Sequence, residues 1–182
     1  MNDTGLTDNQ LMQLGRIAFW AARCEVELTN VIVRLMAPQP DDDEELIRGL
    51  VRGAGWTENV ARLRWLLGYL SLEDTEYITA CLNQATSVMG QRNHLLHGTW
   101  VGAADGFAVF QERRGKPDKV VGFRDAEACA SADALSAAAD QLIAAAMVAE
   151  GVIGPELIDM FRRDNGGRVF PAPRVPGGGE QG

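Results

Sequence analysis

The sequence predicts a mainly α-helical protein, an up-and-down bundle of four to five helices with a small β-hairpin insertion before the last long helix. Three observations carry this prediction. Apolar residues recur at three- and four-residue spacing over long stretches of the chain. Strand-like apolar segments are confined to residues 99–124. Apolar residues make up 46% of the 182 residues, which is enough for a globular core.

The first helix is predicted to begin at Thr7 and to end before Pro38. Thr7-Asp8-Asn9-Gln10 fits a capping box, in which the threonine and glutamine side chains each satisfy an unpaired backbone amide. Its length, near thirty residues, exceeds that of an average globular helix and suits the spine of a bundle. The apolar residues that define its face are Leu11, Leu14, Ile17, Ala18, Ala21, Cys24, Leu28, Val31, Ile32 and Leu35.

Three more helices follow in the prediction. A short second helix runs from the acidic block 41–45 to about Val51, because acidic residues in a first turn complement the helix dipole. The third helix spans Thr57 to Leu70. The fourth begins after Ser71, which has the hydroxyl of a good N-cap, and runs to about His97.

The pattern changes to β between the fourth helix and the last one. Apolar segments at 107–110 and 120–123 flank a five-residue turn at 114–118, which predicts a hairpin. A third strand is expected at 99–101, placing the β insertion at about 99–124.

The end of the chain is predicted to hold one long helix, one short helix and a tail. Ser131 is expected to cap an alanine-rich helix that runs to about Glu150. A short helix is expected at 155–163, and the Pro- and Gly-rich tail of residues 164–182 is expected to be disordered. The chain is therefore divided into one domain of residues 1–163 and a tail.

Composition restricts the function classes. The formal net charge of −8 argues against a broad, non-specific nucleic-acid coat protein, which would be basic. It leaves room for a local RNA site, and positive charge is clustered at two places, Arg62 with Arg64 and the turn of the predicted hairpin. The residues of that turn considered for RNA contact are Arg113, Arg114, Lys116 and Lys119.

Compartment is also indicated by composition. Cys24, Cys81 and Cys129 are odd in number and form no CxxC pair, which is typical of reduced thiols. The sequence has no run of 18 apolar residues, and its first residues lack the pattern of a secretory signal. We therefore expect a cytoplasmic protein without a membrane partner.

The segment Arg92-Asn93-His94-Leu95-Leu96-His97 holds both histidines of the chain. Histidine titrates near neutral pH, so proton transfer, if any occurs, is expected here. Helical periodicity places Arg92 among apolar residues, and a buried charge needs an anionic partner. That partner is expected to be Glu25, a group of a facing subunit, or a ligand phosphate. His94 is expected on the polar side of the helix, and the two histidines lack the companions of a metal site.

Arg92-Asn93-x-x-x-His97 resembles the R-x(4–6)-H motif of the HEPN superfamily (higher eukaryotes and prokaryotes nucleotide-binding domains). In that family a polar residue follows the arginine, here Asn93, and the motif closes the third long helix of a helical bundle. The Gly98-Thr99-Trp100 segment also resembles the common ending of that helix. The resemblance covers roughly residues 7–150 by helix order, although the motif itself is six residues long.

The resemblance implies a metal-independent RNA endonuclease without cofactors, often a toxin or an antiviral effector. His97 would transfer a proton at the ribose 2′-hydroxyl or the leaving 5′-oxygen, and Arg92 would stabilise charge on the phosphoryl oxygens. Asn93 would hold His97 or a phosphate oxygen. In the family two motifs meet across a homodimer interface, and an antitoxin or other regulatory protein is an expected partner.

One departure and two alternatives complete the sequence-based interpretation. The antitoxin-modified branch of the family has a tyrosine two residues after the histidine, where this chain has Thr99, so nucleotidylation is not carried over. The chain could instead be a non-catalytic HEPN-like dimeric module that binds RNA, a nucleotide or a partner protein. The other alternative is a structural dimeric bundle in which Arg92 pairs internally.

Overall fold

The computed structural model describes residues 5–36, 44–70, 74–96, 99–103, 105–111, 119–151 and 163. It confirms a helical bundle with a β insertion before the last long helix. In chain order the elements of the described residues are α1 (Asp8–Met36), α2 (Glu44–Arg52), α3 (Trp56–Leu70), α4 (Thr75–Leu96), β1 (Thr99–Ala103), β2 (Gly106–Gln111), β3 (Lys119–Arg124) and α5 (Asp125–Ala149).

The core is built around α1 and α5, which pack against each other more extensively than any other pair of elements. Small side chains on α5 let the two helix backbones approach closely, and helix α4 then covers α5 from another side. The buried α5 alanines are Ala128, Ala132, Ala138, Ala139, Ala144 and Ala145. On α1 the predicted apolar face is the buried one except at Ala18, which is exposed, and Ile17, Leu28 and Ile32 are fully enclosed.

Gln10 joins the first helix to the rest of the molecule. The predicted capping box is confirmed, since the Thr7 amide donates to Gln10 Oε1 at 3.0 Å and the Gln10 amide donates to Thr7 Oγ1 at 3.2 Å. Gln10 Nε2 also donates to the Gly106 carbonyl at 2.8 Å and to Asp125 Oδ1 at 3.1 Å. One buried side chain therefore holds the start of α1, the sheet and the start of α5 together.

The β insertion is a three-stranded antiparallel sheet in the order β1-β2-β3. Its central strand β2 contributes the buried side chains of Phe107 and Val109 to the hydrophobic core of the bundle. The Phe107 and Phe123 rings stack with centroids 5.7 Å apart. The sheet is thus attached to the bundle by one face, and the predicted turn at 114–118 lies outside the described residues.

The predicted start of the last helix was wrong by seven residues, since the N-cap is Arg124 and not Ser131. Ser131 lies inside α5, which begins at Asp125 immediately after strand β3. The carboxylate of Glu127 accepts a hydrogen bond from the Arg124 backbone amide at 2.8 Å and so satisfies the N-terminus of the helix. A strand that runs directly into a helix leaves no loop signal in the sequence, which explains the error.

Other predicted boundaries agree within a few residues. Helix α3 begins one residue earlier than predicted, and α4 begins at Thr75, after the predicted cap at Ser71. Ser71, the start of the acidic block at 41–43, the helix predicted at 155–163 (Arg163 apart) and the tail at 164–182 lie outside the described residues.

Among the described residues, α5 is long and apolar enough to cross a membrane by length and composition alone. Of its most apolar window, 56% is buried inside the bundle. A core helix with many alanines meets the same criteria, so this feature is weak evidence for a membrane span.

Burial makes one cysteine chemically inert. It raises the pKa of the Cys24 thiol from its ordinary value of 9.0 to about 12, although the nearby Arg92 guanidinium acts in the opposite direction. The folded protein therefore keeps this proton between about pH 9 and 12 while the unfolded chain loses it, so the free energy of unfolding falls as the pH rises through this range.

We expect Cys24 to resist iodoacetamide at about pH 8 in the folded protein, because the thiolate is the reactive form. Cys129, which is partly exposed, is the internal control and should be alkylated first. Peptide mapping by mass spectrometry reports both sites. Equal rates at the two cysteines would contradict the prediction.

Candidate functional site

The candidate site begins with an arginine on an apolar helix face. Ile78, Leu82, Ala85 and Met89 of α4 are at most 2% exposed, as their spacing predicted. Arg92 follows Met89 by three residues and therefore continues the same face. Its side chain is 13% exposed, which is low for an arginine. The helix thus brings a guanidinium group to the edge of the core.

Arg92 forms an ion pair with Glu25 of α1, the partner that the sequence suggested. The guanidinium Nη2 donates to the Glu25 Oε1 oxygen. The Nε–H of Arg92 is buried and has no acceptor among the described residues. An unpaired buried donor costs free energy, so the guanidinium retains an unfilled capacity to bind an oxygen.

The carboxylate partner is not sealed inside the bundle. The Glu25 side chain is 48% exposed, because it lies beside the buried face of α1 rather than within it. It also lines an open pocket of about 280 Å³ between α1 and the turn that joins α2 to α3. The lining residues are Ala22, Glu25, Val26, Leu28, Thr29, Arg52, Ala54, Trp56 and Asn59.

The electrostatic environment of Arg92 includes Cys24, the residue before its partner. The guanidinium lowers the pKa of the Cys24 thiol, and Glu25 and Glu27 raise it, yet burial has a larger effect than any of these charges. The Cys24 thiol donates to the Leu135 carbonyl of α5 at 3.5 Å. Cys24 is therefore a core residue behind the site and not a reactive group in it.

Of the residues predicted to act with Arg92, the structure places only some. His97 lies outside the described residues, and Asn93 and His94 belong to α4 without a described side chain. Their roles stay predictions. Of the four basic residues considered for RNA contact, Lys119 is exposed at the first position of β3. The other three, Arg113, Arg114 and Lys116, lie outside the described residues.

Two pocket residues were missed by sequence reasoning, namely Trp56 and Asn59 in the first turn of α3. A signal was present, since Asn59 stands at helical spacing between Trp56 and Leu63 and so interrupts an apolar stripe. Asn59 is 5% exposed, which is unusual for an asparagine. Its proximity to Glu25, which lies 34 residues earlier in the chain, follows from helix packing and could not be read from the sequence.

Within the part of the chain that the structure describes, no group of three or more His, Cys, Asp or Glu residues is arranged to hold a metal ion. Comparisons with protein-family models, curated proteins and solved structures give no match to this chain. The functional assignment below therefore rests on the residues and on the geometry of Arg92 and Glu25.

Proposed function

We propose that this protein is a metal-independent endoribonuclease of the HEPN type, acting as a toxin or an antiviral effector. It cleaves RNA through the ribose 2′-hydroxyl at a composite site formed by two copies of the chain. The observation that carries the proposal is Arg92, a largely buried arginine whose Nε–H has no acceptor among the described residues and whose carboxylate partner is reached by solvent.

A phosphate can take the place of Glu25 at Arg92. The guanidinium group presents its N–H donors in a planar fork that matches two oxygens of a phosphate or a carboxylate. One oxygen of Glu25 accepts from Nη2, while Nε–H has no acceptor in the part of the chain that the structure describes. A phosphodiester that engaged both donors would satisfy Arg92 more completely than Glu25 does. The displaced carboxylate would then be hydrated at the protein surface, since the Glu25 side chain is already 48% exposed.

Cleavage also requires proton transfer, which we assign to His97. Attack by the 2′-hydroxyl on phosphorus forms a cyclic phosphate and releases a 5′-hydroxyl, so one proton is removed and another is delivered. A single imidazole cannot readily serve as base and acid in the same turnover. A two-fold dimer that brings two copies of Arg92 and His97 together supplies both groups. Asn93 would position His97 or a phosphate oxygen.

The Arg92–Glu25 pair also favours a second candidate function. Because a carboxylate already neutralises the guanidinium in the free chain, the same site fits a non-catalytic HEPN-like module. Such a module would bind RNA, a nucleotide or a partner protein in dimeric form, without chemistry. An antitoxin or other regulatory protein is a candidate partner in either case.

The decisive experiment is incubation of the purified protein with mixed cellular RNA in EDTA, compared with the His97→Ala variant prepared in parallel. We expect cleavage by the wild type alone, with 2′,3′-cyclic phosphate and 5′-hydroxyl ends and with no cleavage of 2′-deoxy substrates. Equal cleavage by both preparations would assign the activity to a contaminant. If the protein binds RNA without cleaving it, the ribonuclease proposal is rejected in favour of the non-catalytic binding module.

The protein is expected to be a symmetric homodimer in which α4 contributes to the interface. Size-exclusion chromatography with light scattering should give twice the chain mass of 19.7 kDa at micromolar concentration. A mass of one chain at that concentration would contradict both the dimer and the composite site.

A further inference from the structure

The pocket beside Glu25 carries two unsatisfied polar atoms in its wall. Trp56 Nε1 is a buried donor without an acceptor, and Asn59 Oδ1 is a buried acceptor without a donor, among the described residues. Both side chains line the pocket. Buried polar groups are nearly always paired in folded proteins, because each unpaired one destabilises the fold. A donor and an acceptor left over in one pocket point to a ligand.

The orientation of the Asn59 amide is fixed by its neighbours. Its Nδ2 donates to the carbonyls of Val51 and Ala54, each at 3.4 Å, where α2 ends. Rotating the amide by a half turn would set Oδ1 against two carbonyl oxygens, so the assignment of the unpaired atom as an acceptor is secure. The pocket therefore offers an acceptor from Asn59.

Trp56 supplies the complementary donor. It lies three residues before Asn59 on the same helix, and residues at this spacing are neighbours on one helix face. Neither Trp56 Nε1 nor Asn59 Oδ1 contacts water in the free chain. The Trp56 residue is partly exposed, and ligand binding would require its indole to rotate so that both buried atoms face the pocket. The remaining lining is mostly apolar, apart from Thr29 and the charged groups of Glu25 and Arg52.

We propose that this pocket binds a planar heterocycle whose edge carries an N–H donor beside an acceptor, as a nucleobase does. The ligand N–H donates to Asn59 Oδ1, the indole of Trp56 donates to the neighbouring ligand acceptor, and the ring lies against Ala22 and Val26. A volume of about 280 Å³ accommodates one heterocycle.

Glu25 connects the pocket to Arg92. It lines the pocket and ion-pairs with the guanidinium, so a nucleotide with its base in the pocket would bring a phosphate toward Arg92. The identification of the ligand as a base of the RNA substrate rests on the proposed function. The pocket and its two unpaired atoms do not depend on cleavage, so the two proposals can fail separately.

The test uses the full-length protein and four phosphate-free probes, namely uridine, 3-methyluridine, adenosine and N6,N6-dimethyladenosine. Binding is followed through the indole N–H resonance of Trp56, which a Trp56→Phe variant distinguishes from those of the other three tryptophans. We expect uridine or adenosine to shift this resonance with a dissociation constant on the order of 1 mM, as for a small weak ligand. The matching methylated nucleoside, which lacks the donor, should bind about tenfold more weakly.

A matched pair of substitutions locates the binding. Ala22→Leu fills the pocket and should weaken binding at least about tenfold, through lost space and contacts. Ala18→Leu, one turn earlier on the exposed side of α1 and outside the pocket lining, should leave it unchanged. Equal binding of the nucleoside by these two variants would overturn the proposal. It would also be overturned if neither uridine nor adenosine shifted the Trp56 resonance at a concentration of roughly ten times the expected dissociation constant.

The same titration on Arg92→Ala separates the two proposals. Unchanged nucleoside binding by this variant supports a pocket that works without the arginine. If the protein binds nucleosides but cleaves no RNA, the proposed pocket is supported and the proposed ribonuclease activity is rejected. If the protein cleaves RNA but binds no nucleoside, the proposed pocket is rejected and the proposed ribonuclease activity is supported.

Discussion

Arg92→Ala is expected to lower RNA cleavage by about 100- to 1000-fold, the usual loss when a preorganised charge-stabilising donor is removed. His97→Ala should cost about as much, because general acid–base assistance is lost. Arg92→Lys should also be impaired, since an ammonium group cannot reproduce the two-pronged guanidinium contact. Initial rates on a single fluorescent RNA substrate would measure all three.

The structure provides controls for these losses. Arg16→Ala removes a surface arginine that donates to Asp133 at 2.7 Å and takes no part in the site, so cleavage should be kept. His94→Ala should retain most activity as well. Arg92→Ala leaves Glu25 hydrated, because its side chain is 48% exposed, and the variant should remain folded. A folded Arg92→Ala protein that cleaves RNA at the wild-type rate would contradict the catalytic role of Arg92.

Glu25→Gln distinguishes an enzyme from a structural ion pair. If Glu25 only occupies Arg92 until the substrate arrives, the neutral side chain should leave cleavage equal to or above that of the wild type. If the pair only stabilises the fold, Glu25→Gln should lower the melting temperature. In that case neither the variant nor the wild type should cleave RNA.

The largest expected effect on stability belongs to Gly106→Ala. A Cβ atom at this position would stand 2.0 Å from the Phe123 carbonyl oxygen in the neighbouring strand, and real Cβ atoms do not approach backbone so closely. Strand β2 would have to shift, and the Gly106 carbonyl would move away from Gln10 Nε2, which now donates to it at 2.8 Å. We expect a loss of about 3 kcal/mol in the free energy of unfolding. In a domain of this size, that corresponds to roughly 10 °C in melting temperature.

Gly122→Ala is the matched control, because it also lies in a strand of the same sheet and a Cβ there meets nothing within 4 Å. Its melting temperature should stay within about 2 °C of the wild type. Differential scanning fluorimetry of both variants is sufficient. Equal melting temperatures for the two alanine variants would show that the sheet adapts and would contradict the prediction.

Local patterns explain why so much of this fold was predictable. The capping box at Thr7 and Gln10 and the apolar face of α4 depend on residues three or four positions apart, and both are present as predicted. The start of α5 was missed because its N-terminus is satisfied by Glu127 directly after a strand. Arg92 was located by the same helical periodicity, which placed it among apolar residues and required an anion nearby.

The pocket was not predictable, for a different physical reason. Trp56 and Asn59 come close to Glu25 because α3 packs against α1, and no local signal specifies that contact. The sequence showed only that a polar residue interrupts an apolar stripe, without indicating what it faces. The lack of partners for the Trp56 and Asn59 atoms among the described residues follows only from the three-dimensional packing.

The packing of α1 against α5 has a consequence for the order of folding. These two helices are the first and the last described elements in the sequence, and Gln10 bonds to groups 96 and 115 residues away. During synthesis, the part of the α1 face that packs against α5 therefore stays uncovered until α5 has left the ribosome, and early chain segments cannot complete the core. Contacts of such long sequence separation slow folding and prolong the exposure of apolar surface. In the nascent chain, the side of α1 that faces α5 is therefore expected to be covered later than the sides that pack against α2 and α3.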